Sequence, residues 1–195
     1  MKKIIVGISG ASGVIYGVRL LEKLREAGGV ETHLIMSPTA QMNVGIETEM
    51  KPVDVIALAD VAYKFTDIAA PIASGSFRTD GMVIAACSMK TLSGVVHSYA
   101  DNLLIRAADV CLKDRRRLIL MPRETPLHAG HCKLFYEVSL MGAIVAPPMP
   151  AMYARPQTVD DIVDHSVGRV MDLLDIDCDF IERWRGAQNR SGETD

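Results

Sequence analysis

Short apolar, β-branched runs punctuate the chain at Lys3 to Ile8, Thr32 to Met36, Met82 to Ala86, Leu118 to Met121 and Ala143 to Ala146. Their length suits strands, and their largely apolar character suits strands covered on both faces. The stretches between them are long enough for helices. From Val14 to Ala27, the residues Val14, Val18, Leu21 and Leu24 form one stripe at helical spacing, and Gly28-Gly29 ends it. A final helix is predicted from Thr158 to about Asp175, with Asp160 and Asp161 in its first turn, where the helix dipole favours negative charge. Strands joined by helical crossovers give an α/β fold of three layers, a mostly parallel sheet with helices on both faces.

Size and composition narrow this to one domain. A chain of 195 residues, 49% hydrophobic and 23% charged, buries enough surface to need neither disulfides nor a structural metal. The domain is expected over residues 1–185, with a polar tail at 186–195. The longest uncharged runs, Ile4 to Val18 and Val138 to Ala154, are broken by Gly, Ser or Pro and fall short of the ~20 apolar residues of a membrane span. The N-terminus enters an apolar strand at once, without the h-region of a signal peptide, so a cytoplasmic location is expected. Cys87, Cys111, Cys132 and Cys178 have neither zinc-like nor redox spacing, which predicts buried free thiols. Basic and acidic residues nearly balance at 21 against 24, without the electrostatic footprint of a nucleic-acid binder.

In open α/β sheets, ligands bind beyond the carboxyl ends of the strands. Those positions read Ser9-Gly10-Ala11-Ser12-Gly13, Ser37-Pro38, Cys87-Ser88-Met89-Lys90-Thr91, Pro122-Arg123-Glu124-Thr125-Pro126 and Pro147-Pro148-Met149-Pro150. In the first, backbone amides at a helix start and the Ser12 hydroxyl can receive a phosphate; the plainer alternative is a tight turn. Ser37 stands where a dinucleotide site would carry an acidic residue for the ribose, and no Tyr-x-x-x-Lys pair occurs, so a mononucleotide fits better. Residues 88–91 offer hydroxyls and a helix start to a ring system or second phosphate, or simply cap the next helix.

Arg123-Glu124 can hold a carboxylate ionised and still exchange a proton with a substrate; the alternative is a surface ion pair. In the basic run Lys113 to Arg117, Arg115 to Arg117 read as a solvated helix end, and Lys113 is the member assigned to the site. His128 and His131 lack a third ligand nearby, and the glycine between them suggests a loop, so no metal site is expected. Trp184, with Phe180 and Ile181, makes an apolar patch that packs either in the domain's own core or on a neighbouring subunit.

Taken in order, Gly7-Ile-Ser-Gly-Ala-Ser-Gly13, Ser76-Phe77, Ser88-Met-Lys-Thr-Leu-Ser-Gly94, Leu112-Lys-Asp-Arg-Arg116, Pro122-Arg-Glu-Thr-Pro-Leu127, Pro150-Ala-Met-Tyr153 and Arg155-Pro-Gln157 resemble the UbiX-type flavin prenyltransferases. The likeness runs from Lys3 to about Trp184. It implies a Rossmann-like (flavodoxin-like) subunit that transfers a dimethylallyl group from dimethylallyl phosphate to N5 and C6 of reduced FMN, without a metal. The prenylated FMN would serve a UbiD-type decarboxylase of aromatic or phenolic acids, and older descriptions call the family aromatic acid decarboxylases. A homododecamer with each flavin site built where subunits meet is also implied. Carried over by position, Gly10, Ala11, Ser12, Ser37, Ser88, Met89, Lys90, Thr91 and Arg123 match FMN residues, and Arg106 an arginine near the flavin. Tyr153 and Arg169 match residues that hold the prenyl phosphate, with Lys113 and Glu124 beside them. Lys113, Arg123 and Arg169 would stabilise charge on the departing phosphate while Glu124 relays protons. Met152 departs from the family pattern, where Phe is common, and brings a flexible thioether to the prenyl pocket.

Two other functions compete with this one. A direct FMN-dependent decarboxylase, acting on an aromatic acid, peptidyl-cysteine or phosphopantothenoylcysteine, would share the fold. The cysteine enzymes resemble one another in an early catalytic His and a late Pro-x-Met-Asn motif, whereas Pro148-Met-Pro-Ala-Met-Tyr153 has no Asn. A non-catalytic flavin-storage or regulatory subunit is the other, against which intact Lys113, Arg123, Glu124 and Arg169 count.

Overall fold

A computed structural model of the chain describes residues 1–184 and 186. The strands are β1 (Lys2–Ile8), β2 (Val30–Met36), β3 (Val61–Tyr63), β4 (Gly81–Cys87), β5 (Arg117–Pro122) and β6 (Ile144–Val145). The helices are α1 (Ile15–Ala27), α2 (Pro38–Glu47), α3 (Pro52–Ile56), α4 (Met89–Val96), α5 (Leu103–Lys113), α6 (Ala129–Leu140) and α7 (Val159–Leu173). Short 3-10 turns occupy Pro71–Ala73 and Met152–Ala154. The strands form one sheet in the order β3-β2-β1-β4-β5-β6, and every neighbouring pair is parallel. Without the three-residue edge strand β3 this is the flavodoxin-like order; with it, the order is that of the Rossmann fold.

β3 escaped the sequence pattern because three partly exposed residues make no apolar run. β6 is shorter than expected, since only Ile144 and Val145 pair with β5. Period-two alternation sends Ile4, Val6 and Ile8 of β1 to one face of the sheet and Ile5 to the other. On the first face they pack with Val18 and Leu21 of α1 and Val167 and Met171 of α7. On the second lie Leu92 of α4, Leu104 and Ala108 of α5 and Val138 of α6. Both faces being covered explains the nearly continuous apolar runs.

α7 starts as predicted: the Thr158 side chain accepts from the Asp161 amide at 3.1 Å, and the Asp161 carboxylate accepts from the Thr158 amide at 2.9 Å. Its early turns are tied to α1 by Arg19, which pairs with Asp160 and Asp164. Its far end meets the amino edge of the sheet, where Lys2 donates to the carbonyls of Leu174 and Asp175. α7 therefore runs from near the carboxyl rim down to the opposite edge.

Two expectations need correcting. Arg116 is not a solvated helix end: its guanidinium, 14% exposed, donates to the carbonyls of Gly75 and Phe77 and to Thr79, binding the approach to β4. Arg115 turns the chain at φ +57° and Arg117 opens β5, so the helix ends before the run does. The thiols are not uniformly buried, since Cys132 of α6 is exposed and Cys178, beyond α7, is half-buried. The tail expected at 186–195 lies outside the described residues apart from Gly186. No described helix is long and apolar enough to cross a membrane.

Candidate active site

The loops after β1 and β4 leave the sheet where the strand order reverses, the position at which open α/β sheets place a ligand crevice. Buried Ser9 staples its walls, donating to the Ala86 carbonyl at 2.9 Å and accepting from the Ser88 amide at 2.7 Å. Ser37 caps α2 by accepting from the Ala40 amide at 3.0 Å, and its own amide donates to the Ile8 carbonyl at 3.0 Å. Ser88 caps α4, accepting from the Thr91 amide at 3.3 Å and donating to the Thr91 hydroxyl at 3.1 Å. A Cβ on Gly10 would lie 2.7 Å from that of Thr39, so this loop presses on the first turn of α2 and tolerates no side chain there. Arg123 crosses from the end of β5 and donates through Nε to the Ser12 carbonyl at 3.0 Å. Gly10, Ala11, Ser12, Ser37, Ser88, Met89, Lys90, Thr91 and Arg123 thus share one rim. Two serine-capped helix starts and a guanidinium form a donor set suited to the phosphate and ring of FMN.

The start of α1 differs from expectation. Glu47, the last residue of α2, accepts from the amides of Gly13 at 2.8 Å and Val14 at 3.0 Å, so a carboxylate already occupies these two anion donors. Glu47 therefore belongs to this rim. No sequence signal marked it, because it sits at a helix end and not after a strand. The Arg123–Glu124 ion pair is not formed either: Arg123 turns to Ser12, while Glu124 accepts from the Thr125 amide at 3.0 Å and remains exposed.

The other assigned residues lie elsewhere on the chain. Lys113 ends α5 at the amino edge of the sheet, where it pairs with Asp114 at 2.6 Å. The six residues of β5 separate it from Arg123, about 20 Å at the usual strand rise. Arg106, one turn into α5, donates to the Ala73 carbonyl at 3.1 Å and pairs with Asp109 at 2.9 Å. Arg169 sits on the outer side of α7, pairing with Asp172 at 2.7 Å, and so lies across the sheet from Lys113. The Tyr153 hydroxyl is 3.0 Å from Nε2 of His165, one turn before Arg169. Beside them is a cavity of about 290 Å³, lined by Ala154, Arg155, Asp161, His165, Ile181 and Glu182 among others. Burial, then Arg169, holds His165 below the usual histidine range, with Asp172 opposing. Trp184, 55% exposed, meets the Tyr153 ring edge-on, whereas Ile181 buries against Gly168.

His128 caps α6 and His131 stands in its first turn, so the intervening glycine is helical and not in a loop. Their ring centroids are 3.7 Å apart, with the planes tilted by 34°. Among the described residues, no group of three or more His, Cys, Asp or Glu is arranged to hold a metal ion.

The sequence model of the Flavoprotein family matches residues 1–171. The flavin prenyltransferase UbiX of Escherichia coli K12 is 56% identical over 189 residues, 96% of this chain and 100% of that one. That of Thauera aromatica is 52% identical over 188 residues, 96% of each chain. Among solved structures, a dodecameric FMN-dependent UbiX-like decarboxylase from Escherichia coli O157:H7 matches with a TM-score of 0.93 at 51% identity, over 94% of this chain and 100% of that one. AnUbiX (PadA1), in complex with FMN and dimethylallyl pyrophosphate, matches with a TM-score of 0.93 at 46% identity, over 95% and 98%. The sequence likeness, the strand order and the rim that these loops build agree: the chain belongs to the Flavoprotein family and, within it, to the UbiX flavin prenyltransferases.

Proposed function

We propose that the protein transfers a dimethylallyl group from dimethylallyl phosphate to N5 and C6 of reduced FMN, and that a UbiD-type decarboxylase uses the prenylated product. The observation that carries this is the switch-point cleft with its serine caps and Arg123, in a chain 56% identical to a flavin prenyltransferase. Bound reduced FMN supplies the nucleophilic N5 and C6. Gly10 to Ser12, Ser37 and Ser88 to Thr91 hold the nucleotide, and Arg123 is fixed toward it by the Ser12 carbonyl. As the allylic C–O bond breaks, Arg123, Lys113 and Arg169 take up the negative charge gathering on the phosphate. Glu124 carries a released proton to that phosphate. The half-exposed Tyr153 hydroxyl adds a donor beside Arg169.

One chain separates these groups, so in our account the working site is assembled between copies, in a dodecamer like that of the UbiX-like relative. Large exposed apolar side chains support subunit contacts, among them Leu140, Met149, Met152 and Trp184. Met152, 68% exposed on one chain, would line the prenyl pocket only against another copy. A cytoplasmic setting agrees with four unpaired cysteines.

The test is to incubate the purified protein with reduced FMN and dimethylallyl phosphate without oxygen, and in parallel with the diphosphate. The flavin is expected to gain the mass of one dimethylallyl unit from the monophosphate. An unchanged flavin, with an aromatic acid losing CO2 in the presence of this chain alone, would establish the direct decarboxylase instead.

A further inference from the structure

We infer that His165 is a positioning residue for Tyr153: by donating its Nε2 hydrogen to the phenol oxygen, it turns the Tyr153 hydroxyl hydrogen toward an anion held by Arg169. This rests on the assignment of Tyr153 and Arg169 to the prenyl phosphate made above. The Tyr153 oxygen is 3.0 Å from His165 Nε2. The His165 ring meets the phenol edge-on at 5.5 Å and 81°, and Trp184 meets it at 5.6 Å and 71°, so the phenol is held between two rings. His165 and Arg169 are four residues apart on α7 and therefore share a face of the helix.

A phenol has a single hydrogen to give. If that hydrogen goes to Nε2 of a neutral imidazole, an incoming phosphate meets only oxygen lone pairs. Tyr153 can donate to phosphate only when Nε2 itself carries a hydrogen. The imidazolium satisfies this by necessity, and it adds a second positive charge one turn from Arg169. The charged groups facing His165 are Arg169 and Asp172 on the following turns, Asp161 and Asp164 on the preceding one, and Arg155 and Glu182 across the cavity. Burial and Arg169 keep the free protein's imidazole neutral at neutral pH, whereas a bound phosphate favours the protonated form. Prenyl phosphate binding therefore tightens as pH falls through the titration of His165.

The experiment measures KM and kcat for dimethylallyl phosphate at saturating reduced FMN, from about pH 5 to pH 8, in the wild type and in His165→Phe, His165→Gln and Tyr153→Phe. His165→Phe is expected to raise KM roughly three- to tenfold, the worth of one hydrogen bond, with kcat little changed. It also loses the wild type's fall in KM on the acid side. His165→Gln, whose amide can donate to the phenol, restores a low KM but shows no such pH response, and it decides the matter should the Phe variant fail to fold. In a Tyr153→Phe background, His165→Phe has no further effect. Ionisation of the substrate phosphate is common to every variant and cancels in the comparison. Equal KM values and pH profiles for wild type and both His165 variants, with Tyr153→Phe raising KM, would overturn the inference while leaving the phosphate site intact. A Tyr153→Phe variant with unchanged KM would instead remove the assignment of Tyr153 and the His165 inference with it.

Discussion

Among the described residues, Glu124 is held at the rim by the Thr125 amide alone, and it stays exposed beside an arginine that is committed to Ser12. That freedom suits a proton carrier. Glu124→Gln should retain FMN, because the change keeps size and touches none of the capped loops, and should slow product formation about 10²- to 10⁴-fold. Single-turnover kinetics with flavin binding measured separately would check this; equal turnover would remove Glu124 from the mechanism. The thiols make a second case at this scale. Burial pushes Cys87 and Cys111 up to about 12, so at neutral pH both remain protonated and poor nucleophiles. A thiol reagent with mass readout should leave these two unlabelled until the chain is unfolded. Ser37, Ser88 and Arg123 were legible in the sequence because each follows a strand directly. Glu47 and Arg116 were not, since each acts through a loop brought near only by tertiary packing.

Among the elements, α1 packs close against the sheet at Gly17. A Cβ on Gly17 would stand 2.3 Å from the Ala85 carbonyl oxygen and 2.7 Å from Ile8, so backbone and core would both have to move. Gly17→Ala should cost about 1–3 kcal/mol by overpacking, despite the better helix propensity of alanine, and a denaturant midpoint would show it. α7 carries a pH-dependent contribution. The amides of Gln157 and Thr158 hold the Asp161 carboxyl below the usual carboxylate range. A depressed value means the stabilisation is present above the unfolded aspartate's ~4 and is lost as pH falls through the lower folded value. Asp161→Asn should therefore lower the thermal midpoint at neutral pH and make little difference in strong acid. The start of this helix was legible from Thr158 and the two aspartates of its first turn, whereas the reciprocal Thr158–Asp161 hydrogen bonds came from the structure. β3 was not, since a strand of three residues is defined by its neighbour's edge and not by its own pattern; β6 was expected, and only its length was overestimated.

For the whole molecule, the sheet itself decides what one chain can do. Residues on α5 and α7 lie on opposite faces of it, and β5 stands between Lys113 and the rim. The α/β layering was readable from the apolar runs, but this separation was not, because a motif's order along the chain does not say on which side of a sheet it falls. The separation makes assembly a chemical requirement in our account, with Lys113 of one copy serving the Arg123 cleft of another. The direct measurement is prenyl transfer by mixed oligomers of Lys113→Ala and Arg123→Ala chains, co-expressed in equal amounts and compared with each variant alone. Either variant by itself should be nearly inactive, while the mixture regains about a quarter of wild-type activity, the share of sites in which random assortment supplies both intact residues. Mixed oligomers no more active than the separate variants would contradict the shared site.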